Sequence, residues 1–362
     1  MSEHLLTSHT ESVGVVTLNR AQALNALSLE MIRGLSAALS AWSHDSHIQA
    51  VLIESVSPKA FCAGGDLRFF YEIFCEAGMT NSPLLEAFFT EEYKLNHLIH
   101  HYPKPYIALL DGLVMGGGMG IAQSSSPLRL RIVTEQTRMA MPEVNIGLFP
   151  DVGGSYFLSR MPGEIGTWLA LTGETIGAAD ALHTGLADIF LPSDTLPALR
   201  DMLQACNADH IHLTKQFCAP LAEKVDASSG TLSRHRQLID KHFSLNRVQD
   251  IMHSLAEDPD PFAQHTAETM RRRAPLLLCV TLEQLRRGRT MTLAECLRME
   301  RTMMHHCFAH PDAMEGIRAA IIDKDNRPQW QPATIEEVSE DMVQRFFAPA
   351  WPDEAHPLRG LA

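Results

Sequence analysis

The chain has 362 residues, 30 basic and 43 acidic side chains, a net charge of −13 and 45% hydrophobic residues. At roughly 150 residues per domain this is about two domains, or one large domain with an appendage, long enough to bury a core without staples. The negative charge repels a polyphosphate backbone, which excludes nucleic acid as an expected partner, and seven cysteines without CxxC spacing encode neither a disulfide framework nor a zinc site.

The first twenty residues lack a basic start followed by a long apolar run, and no later window approaches the roughly 18 uninterrupted apolar residues of a membrane span. A soluble, cytoplasmic protein without a membrane partner is expected. Three short runs, VGVVTL (13–18), AVLIES (50–55) and YIALLDG (106–112), are apolar and partly β-branched, as buried strands are. Between the first two, residues 28–42 place Leu29, Ile32, Leu35, Leu39 and Trp42 at helical spacing, with Ser28 as N-cap and Glu30 in the first turn. Strand alternates with helix, which predicts an α/β fold with much of its sheet covered. From about residue 195 the texture becomes helical: 197–206, 231–256, 266–287 and 292–308 read as amphipathic helices. A turn-rich break at 321–332 precedes one last helix in EEVSEDMVQRFF. The expected division is a core at 1–192 and a helical C-terminal region at 193–362 covering it.

Two glycine-rich turns carry the first chemical signal. AFCAGGDL (60–67) follows one strand, DGLVMGGGMGIA (111–122) follows another, and each precedes a helical pattern. Glycine lets bare N–H groups approach a ligand, and at a helix start those groups have no intrahelical acceptor. The amides of Gly65 and Gly117 are the candidate donors of an oxyanion hole. The plain alternative is that these glycines only permit tight packing. Neither turn matches GxGxxG or the phosphate loop GxxxxGK[ST].

Three carboxylates follow. Glu143 and Asp151 lie in MPEVNIGLFPDVGG (141–154), among apolar residues whose desolvation raises a carboxylate pKa toward the range of general acid or base work. Asp151 could instead cap the helix in DVGGSYFLSRM, and Glu143 could be a solvated turn residue. Glu92 shares a helical stripe with Phe88, Leu95 and Ile99, so it needs a partner, either a ligand or a nearby Lys or Arg. There is no GxSxG elbow. HHCFAHP (305–311) lacks the glutamate of a HExxH site, and RRR (271–273) with RRGR (286–289) reads as a solvated helix face, or as a contact for CoA phosphates or a partner subunit.

FCAGGDL, KPYIALLDGLVMGGGMG and AMPEVNIGLFPDVGGSYFLSR together resemble the crotonase (enoyl-CoA hydratase/isomerase) superfamily, most closely its 3-hydroxyisobutyryl-CoA hydrolase branch, and the resemblance covers almost the whole chain. It implies a spiral of ββα units making two stacked sheets, an acyl-CoA substrate, and a thioester oxygen held by two amides, which by motif position are those of Gly65 and Gly117. It also places the substrate-contacting glutamate on Glu92 and the paired catalytic carboxylates on Glu143 and Asp151. No metal or redox cofactor is implied, coenzyme A entering as part of the substrate, and a homo-oligomer is compatible with the family. Enoyl-CoA hydratases of the superfamily carry a catalytic glutamate where this chain has Gly120, so the hydratase pair is incomplete. Two stretches depart from the branch: 123–135 lacks the usual His-Gly, and 274–281 has Leu277 and Cys279 where Ser and Lys are common. The expected activity is hydrolysis of a CoA thioester, 3-hydroxyisobutyryl-CoA, in which Glu143 either attacks the carbonyl carbon or deprotonates water. The alternatives are an enoyl-CoA hydratase or isomerase and a non-catalytic CoA-binding relative.

Overall fold

The computed structural model describes residues 3–10, 12–77, 82–123, 128–206, 209–221 and 225–362. Nine strands occur among them: β1 (Leu5–His9), β2 (Val13–Leu18), β3 (Ala50–Ser55), β4 (Ala60–Cys62), β5 (Tyr106–Leu110), β6 (Leu113–Met115), β7 (Arg129–Val133), β8 (Arg138–Ala140) and β9 (Ile189–Phe190). Six form a sheet in the order β1-β2-β3-β5-β7-β9, and three form a second in the order β4-β6-β8. All pairings are parallel except β1 with β2; in the larger sheet Val13 lies opposite Ala50 and Tyr106 opposite Arg129. Successive strands β3 and β4, β5 and β6, and β7 and β8 each divide between the two sheets, and helices follow the first two pairs. This is the ββα alternation that the resemblance implies.

The three strands expected from the sequence are present, the third ending at Leu110 because Asp111 and Gly112 turn the chain. Helix α1 (Leu29–His44) begins where expected: the Ser28 side chain accepts from Met31 N at 3.2 Å, a cap that contributes about 1 kcal/mol. Its buried face is Met31, Ile32, Leu35, Leu39 and Trp42, and the Trp42 ring lies so close over β2 that a Cβ at Gly14 would sit 2.6 Å from it.

The chain gathers into two compact units, each assembled from separated stretches: Met1–Gly65, Lys94–Ala140 and Thr175–Arg234 in the first, Asp66–Tyr93, Met141–Glu174 and His235–Ala362 in the second. Both sheets belong to the first unit. Val13, Val15, Ala50, Leu52, Ile107, Leu109, Leu130 and Ile132 alternate along its larger sheet and pack with Leu199, Leu203 and Cys218. Leu199 and Leu203 come from helix Leu196–Ala205 and Cys218 from helix His210–Cys218, so the sheet-bearing unit reaches past residue 193. Each fully buried leucine contributes about 2 kcal/mol through the water it leaves.

The second unit is helical. Two long helical runs expected from the sequence are broken here: 231–256 becomes Thr231–Arg234, Arg236–Phe243 and Val248–Glu257, and 266–287 becomes Pro261–Met270 and Pro275–Gly288. Thr231–Arg234 itself falls in the first unit. Pro275 explains one break, since it lacks an N–H and stands at the first turn of the new helix. The run at 292–308 is a single helix, Leu293–Ala309, opened by a Thr292 and Glu295 capping box. The last expected helix is shorter, Glu340–Arg345. Among the described residues no helix is long and apolar enough to cross a membrane, and no disulfide joins the seven cysteines.

Candidate active site

The glycine turns lie in the first unit. Helix α4, counting α2 (Leu67–Ala77) and α3 (Pro83–His100) before it, spans Gly117–Ala122 and directly follows β6. As its first residue, Gly117 has an N–H with no acceptor inside the helix. The other turn is at its side: Gly64 has φ +104°, and a Cβ there would sit 3.2 Å from Met115 O and 3.7 Å from Gly117 N. Leu27 N donates to Gly64 O at 2.7 Å, which fixes the turn from the other side and leaves Gly65 bridged to Leu27. Position 120 is a buried glycine of α4.

The carboxylates lie in the second unit. Glu92 sits on α3 with Phe88, Leu95 and Ile99, all buried, as the stripe predicts. Among the described residues it has no Lys or Arg partner; the fully buried Arg301 pairs with Glu86 and donates to Thr90 Oγ1 at 3.1 Å. Glu143 is no solvated turn residue. It opens the 3-10 turn Glu143–Ile146 after Pro142 and is 7% exposed, and the turn ends at Gly147, φ +71°, where a Cβ would lie 2.2 Å from Asp312 O. Glu92 Oε1 and Glu143 Oε2 are buried with no hydrogen-bond partner among the described residues.

Asp151 does not cap the following helix through its side chain. Helix Gly154–Phe157 is capped at Gly153 without a side-chain bond, whereas Asp151 Oδ2 accepts from the Tyr93 hydroxyl at 2.6 Å. The cap position is served from far along the chain: Glu300 accepts from Gly153 N at 2.8 Å, Ser155 N at 2.9 Å and Ser155 Oγ at 2.6 Å.

Burial governs the titration of these groups. Desolvation pushes Asp151 up to about 6, opposed by the Tyr93 hydrogen bond, and pushes Glu300 up to about 8. Glu143 and Glu92 are raised well above the ordinary carboxylate range, first by burial and then by the charge of Asp151. Of these mutually interacting carboxylates, Asp151 is thus largely ionised at neutral pH, whereas Glu92 and Glu143 keep their protons to higher pH than ordinary carboxylates do, a division that suits proton transfer.

A model of the family described as enoyl-CoA hydratase/isomerase matches residues 13–347. The chain belongs to the enoyl-CoA hydratase/isomerase family. The mitochondrial 3-hydroxyisobutyryl-CoA hydrolase of Gallus gallus is 39% identical over 366 residues, covering 96% of this chain and 92% of that protein. The mitochondrial enzyme of the same name from Homo sapiens is 38% identical, covering 96% and 89%. Among solved structures, a carnitinyl-CoA dehydratase from Mycobacterium thermoresistibile matches with TM-score 0.89 at 37% identity, covering 97% of this chain and 98% of that one. An enoyl-CoA hydratase from Rhodobacter sphaeroides matches with TM-score 0.83 at 35% identity, covering 96% and 98%.

Within this enoyl-CoA hydratase/isomerase fold, Tyr93, Ser155, Gln284 and Glu300 are the polar residues that sequence reasoning missed. Glu300 could have been found by the signal that found Glu92, since Cys296, Glu300, Met303 and Cys307 form one buried helical stripe carrying a charge. The arginine runs are engaged by the chain itself rather than uniformly solvated: Arg286 and Arg289 pair with Glu164 at 3.2 and 2.6 Å, Arg287 pairs with Glu283 at 2.7 Å, and Arg273 Nε donates to Thr172 O at 2.7 Å. His306 contacts Ala348 O at 2.8 Å, and among the described residues no group of three or more His, Cys, Asp or Glu is placed to hold a metal. Of the departing stretches, residues 124–127 lie outside the described residues, Leu277 is fully buried, and Cys279 lines a cavity with Arg247, Gln249 and Arg286.

Proposed function

We propose that this chain is a hydrolase of short 3-hydroxyacyl-CoA thioesters, with 3-hydroxyisobutyryl-CoA as its preferred substrate, a reaction of valine breakdown. The observation that carries the reading is the buried carboxylate pair of one loop, Glu143 and Asp151, each with a raised pKa. The names of the Gallus gallus and Homo sapiens relatives support it.

Hydrolysis breaks the thioester C–S bond, forms a C–O bond from water and delivers a proton to the departing thiolate. The amides of Gly65 and Gly117 polarise the thioester carbonyl and hold the oxygen as it gains charge; one such donor is worth about 3 kcal/mol in the transition state. Glu143 acts at the carbonyl carbon, as the nucleophile of a mixed anhydride that water then opens or as the base that deprotonates the attacking water. Either route uses its ionised form, and in the general-base route its raised pKa strengthens its hold on the proton taken from water. Asp151, ionised above about pH 6 and held by Tyr93, orients water or the substrate hydroxyl. Glu92 receives the hydroxyl end through its unpartnered Oε1.

A second reading, hydration or dehydration of an enoyl-CoA, is favoured by the names of the two solved structures. It requires a second proton-transfer group where α4 has Gly120. A panel of acyl-CoAs decides between them: free-thiol release from 3-hydroxyisobutyryl-CoA is expected to exceed loss of enoyl absorbance from crotonyl-CoA by at least about tenfold, or about 1.4 kcal/mol in barrier. Faster hydration would make the hydratase reading the correct one. We place the protein in the cytoplasm, as reduced cysteines allow; cell fractionation distinguishes this from the mitochondrial location in the vertebrate relatives' names. A homo-oligomer is proposed on family grounds and is read by light scattering.

A further inference from the structure

Val152 is a buried β-branched residue with φ +51°, a left-handed conformation that such side chains adopt only under constraint. It directly follows Asp151, and the backbone on both sides of the pair is tied down. On one side Gln284 Nε2 donates to Pro150 O at 2.6 Å. On the other, Glu300 Oε2 accepts from Gly153 N at 2.8 Å, and Glu300 Oε1 accepts from Ser155 N and Ser155 Oγ. The two ties are joined, because Gln284 Nε2 also donates to Ser155 Oγ at 2.8 Å, so the serine hydroxyl must spend its one proton on Glu300.

Local sequence makes this possible. Gln284 and Gly288 are four apart on helix Pro275–Gly288 and so share a face. Gly288 is where that helix touches the loop, since a Cβ there would lie 2.3 Å from Ser155 O. Gln284, Ser155 and Glu300 are all fully buried, where an unmatched donor or acceptor is costly. A carboxylate taking three donors is a well-satisfied buried group, yet nothing in the proposed chemistry uses it.

We propose that Glu300, Ser155 and Gln284 form a positioning clamp that holds Val152 in its left-handed conformation and thereby aims the Asp151 carboxylate at Tyr93 and the reacting groups. This inference rests on the proposed role of Asp151. The clamp acts through Asp151 and touches no substrate, so it governs kcat rather than substrate affinity.

The test measures thiol release from 3-hydroxyisobutyryl-CoA by the full-length protein. Glu300→Gln keeps shape but sets an amide N–H against one of the loop's donors. It is expected to lower kcat at least about tenfold while KM changes less than about threefold. Val152→Gly is then added to it. Glycine enters the left-handed region without strain, so the double variant is expected to regain at least about threefold in kcat, even though losing a buried valine lowers its melting temperature. A structural role alone predicts the opposite, with activity following stability downward. If Glu300→Gln does not fold, Ser155→Ala, which deletes only the hydroxyl link, is read in the same way with and without Val152→Gly. Unchanged kcat in the folded Glu300→Gln or Ser155→Ala protein, or no recovery with Val152→Gly, overturns the clamp. Asp151→Asn measured alongside separates the two claims: its near-normal turnover would remove the role of Asp151, whereas an inactive Asp151→Asn with fully active clamp variants would remove the clamp alone.

Discussion

The Tyr93 hydroxyl donates to Asp151 Oδ2 at 2.6 Å, and both residues are more than nine-tenths buried. Tyr93 is the neighbour of Glu92 on α3, so one helix supplies both a carboxylate and the hydrogen bond that favours ionisation of a second.

Removing that bond should therefore move the titration of Asp151. Tyr93→Phe deletes a donor that lowers the Asp151 pKa, so the acid limb of the kcat/KM profile should shift to higher pH. A hydrogen bond to a charged group is worth about 2 kcal/mol, so activity near pH 6.5 should fall about eightfold. An unchanged limb would show that Asp151 does not titrate in the rate-determining form.

Asp151→Asn tests the carboxylate itself. The helix start at Gly153 is served by Glu300, so the substitution removes charge without removing a cap. Turnover should drop steeply although the melting temperature near neutral pH does not fall. Near-normal turnover would leave Glu143 as the only carboxylate of this loop in the mechanism.

The same variant gives a prediction about stability and pH. Folding raises the Asp151 pKa from its ordinary 3.8 to about 6. A raised acid stabilises the fold only while it is protonated: the contribution is complete below pH 3.8 and is lost as pH rises through about 6. Asn does not titrate. Denaturant unfolding at pH 4 and pH 8 should therefore show the wild type losing about 2.5 kcal/mol relative to Asp151→Asn over that interval. A difference of the opposite sign would mean that Asp151 is stabilised as an anion.

Gly117→Pro removes the N–H proposed to hold the thioester oxygen. Because Gly117 is the first residue of α4, proline is tolerated there by the helix. Thiol release should fall at least about a hundredfold while circular dichroism stays unchanged. A folded and fully active protein would exclude that amide.

What the sequence made legible was local. Strands β2 and β3 and helix α1 announce themselves through apolar β-branched runs and a capped apolar stripe, and Glu92 through a charge on such a stripe. The helical run 231–256 concealed its breaks because Ser244 to Arg247 contain neither Gly nor Pro. Asp151 was legible as a buried carboxylate, but the choice between cap and site residue depended on Glu300 and Tyr93, which are distant in sequence from the loop they bind. Local pattern cannot show which of two carboxylates reaches a backbone N–H that only the tertiary fold brings near.

The central claim is that Glu143 carries the hydrolysis of a 3-hydroxyacyl-CoA thioester. The most direct measurement is the rate of thiol release from 3-hydroxyisobutyryl-CoA by Glu143→Gln, with binding of the thioester followed in parallel by calorimetry. The expected result is loss of nearly all turnover, a thousandfold or more, about 4 kcal/mol in barrier, with thioester affinity within about threefold of the wild type. A Glu143→Gln protein that binds the thioester normally and still releases thiol at a rate near that of the wild type would contradict the claim.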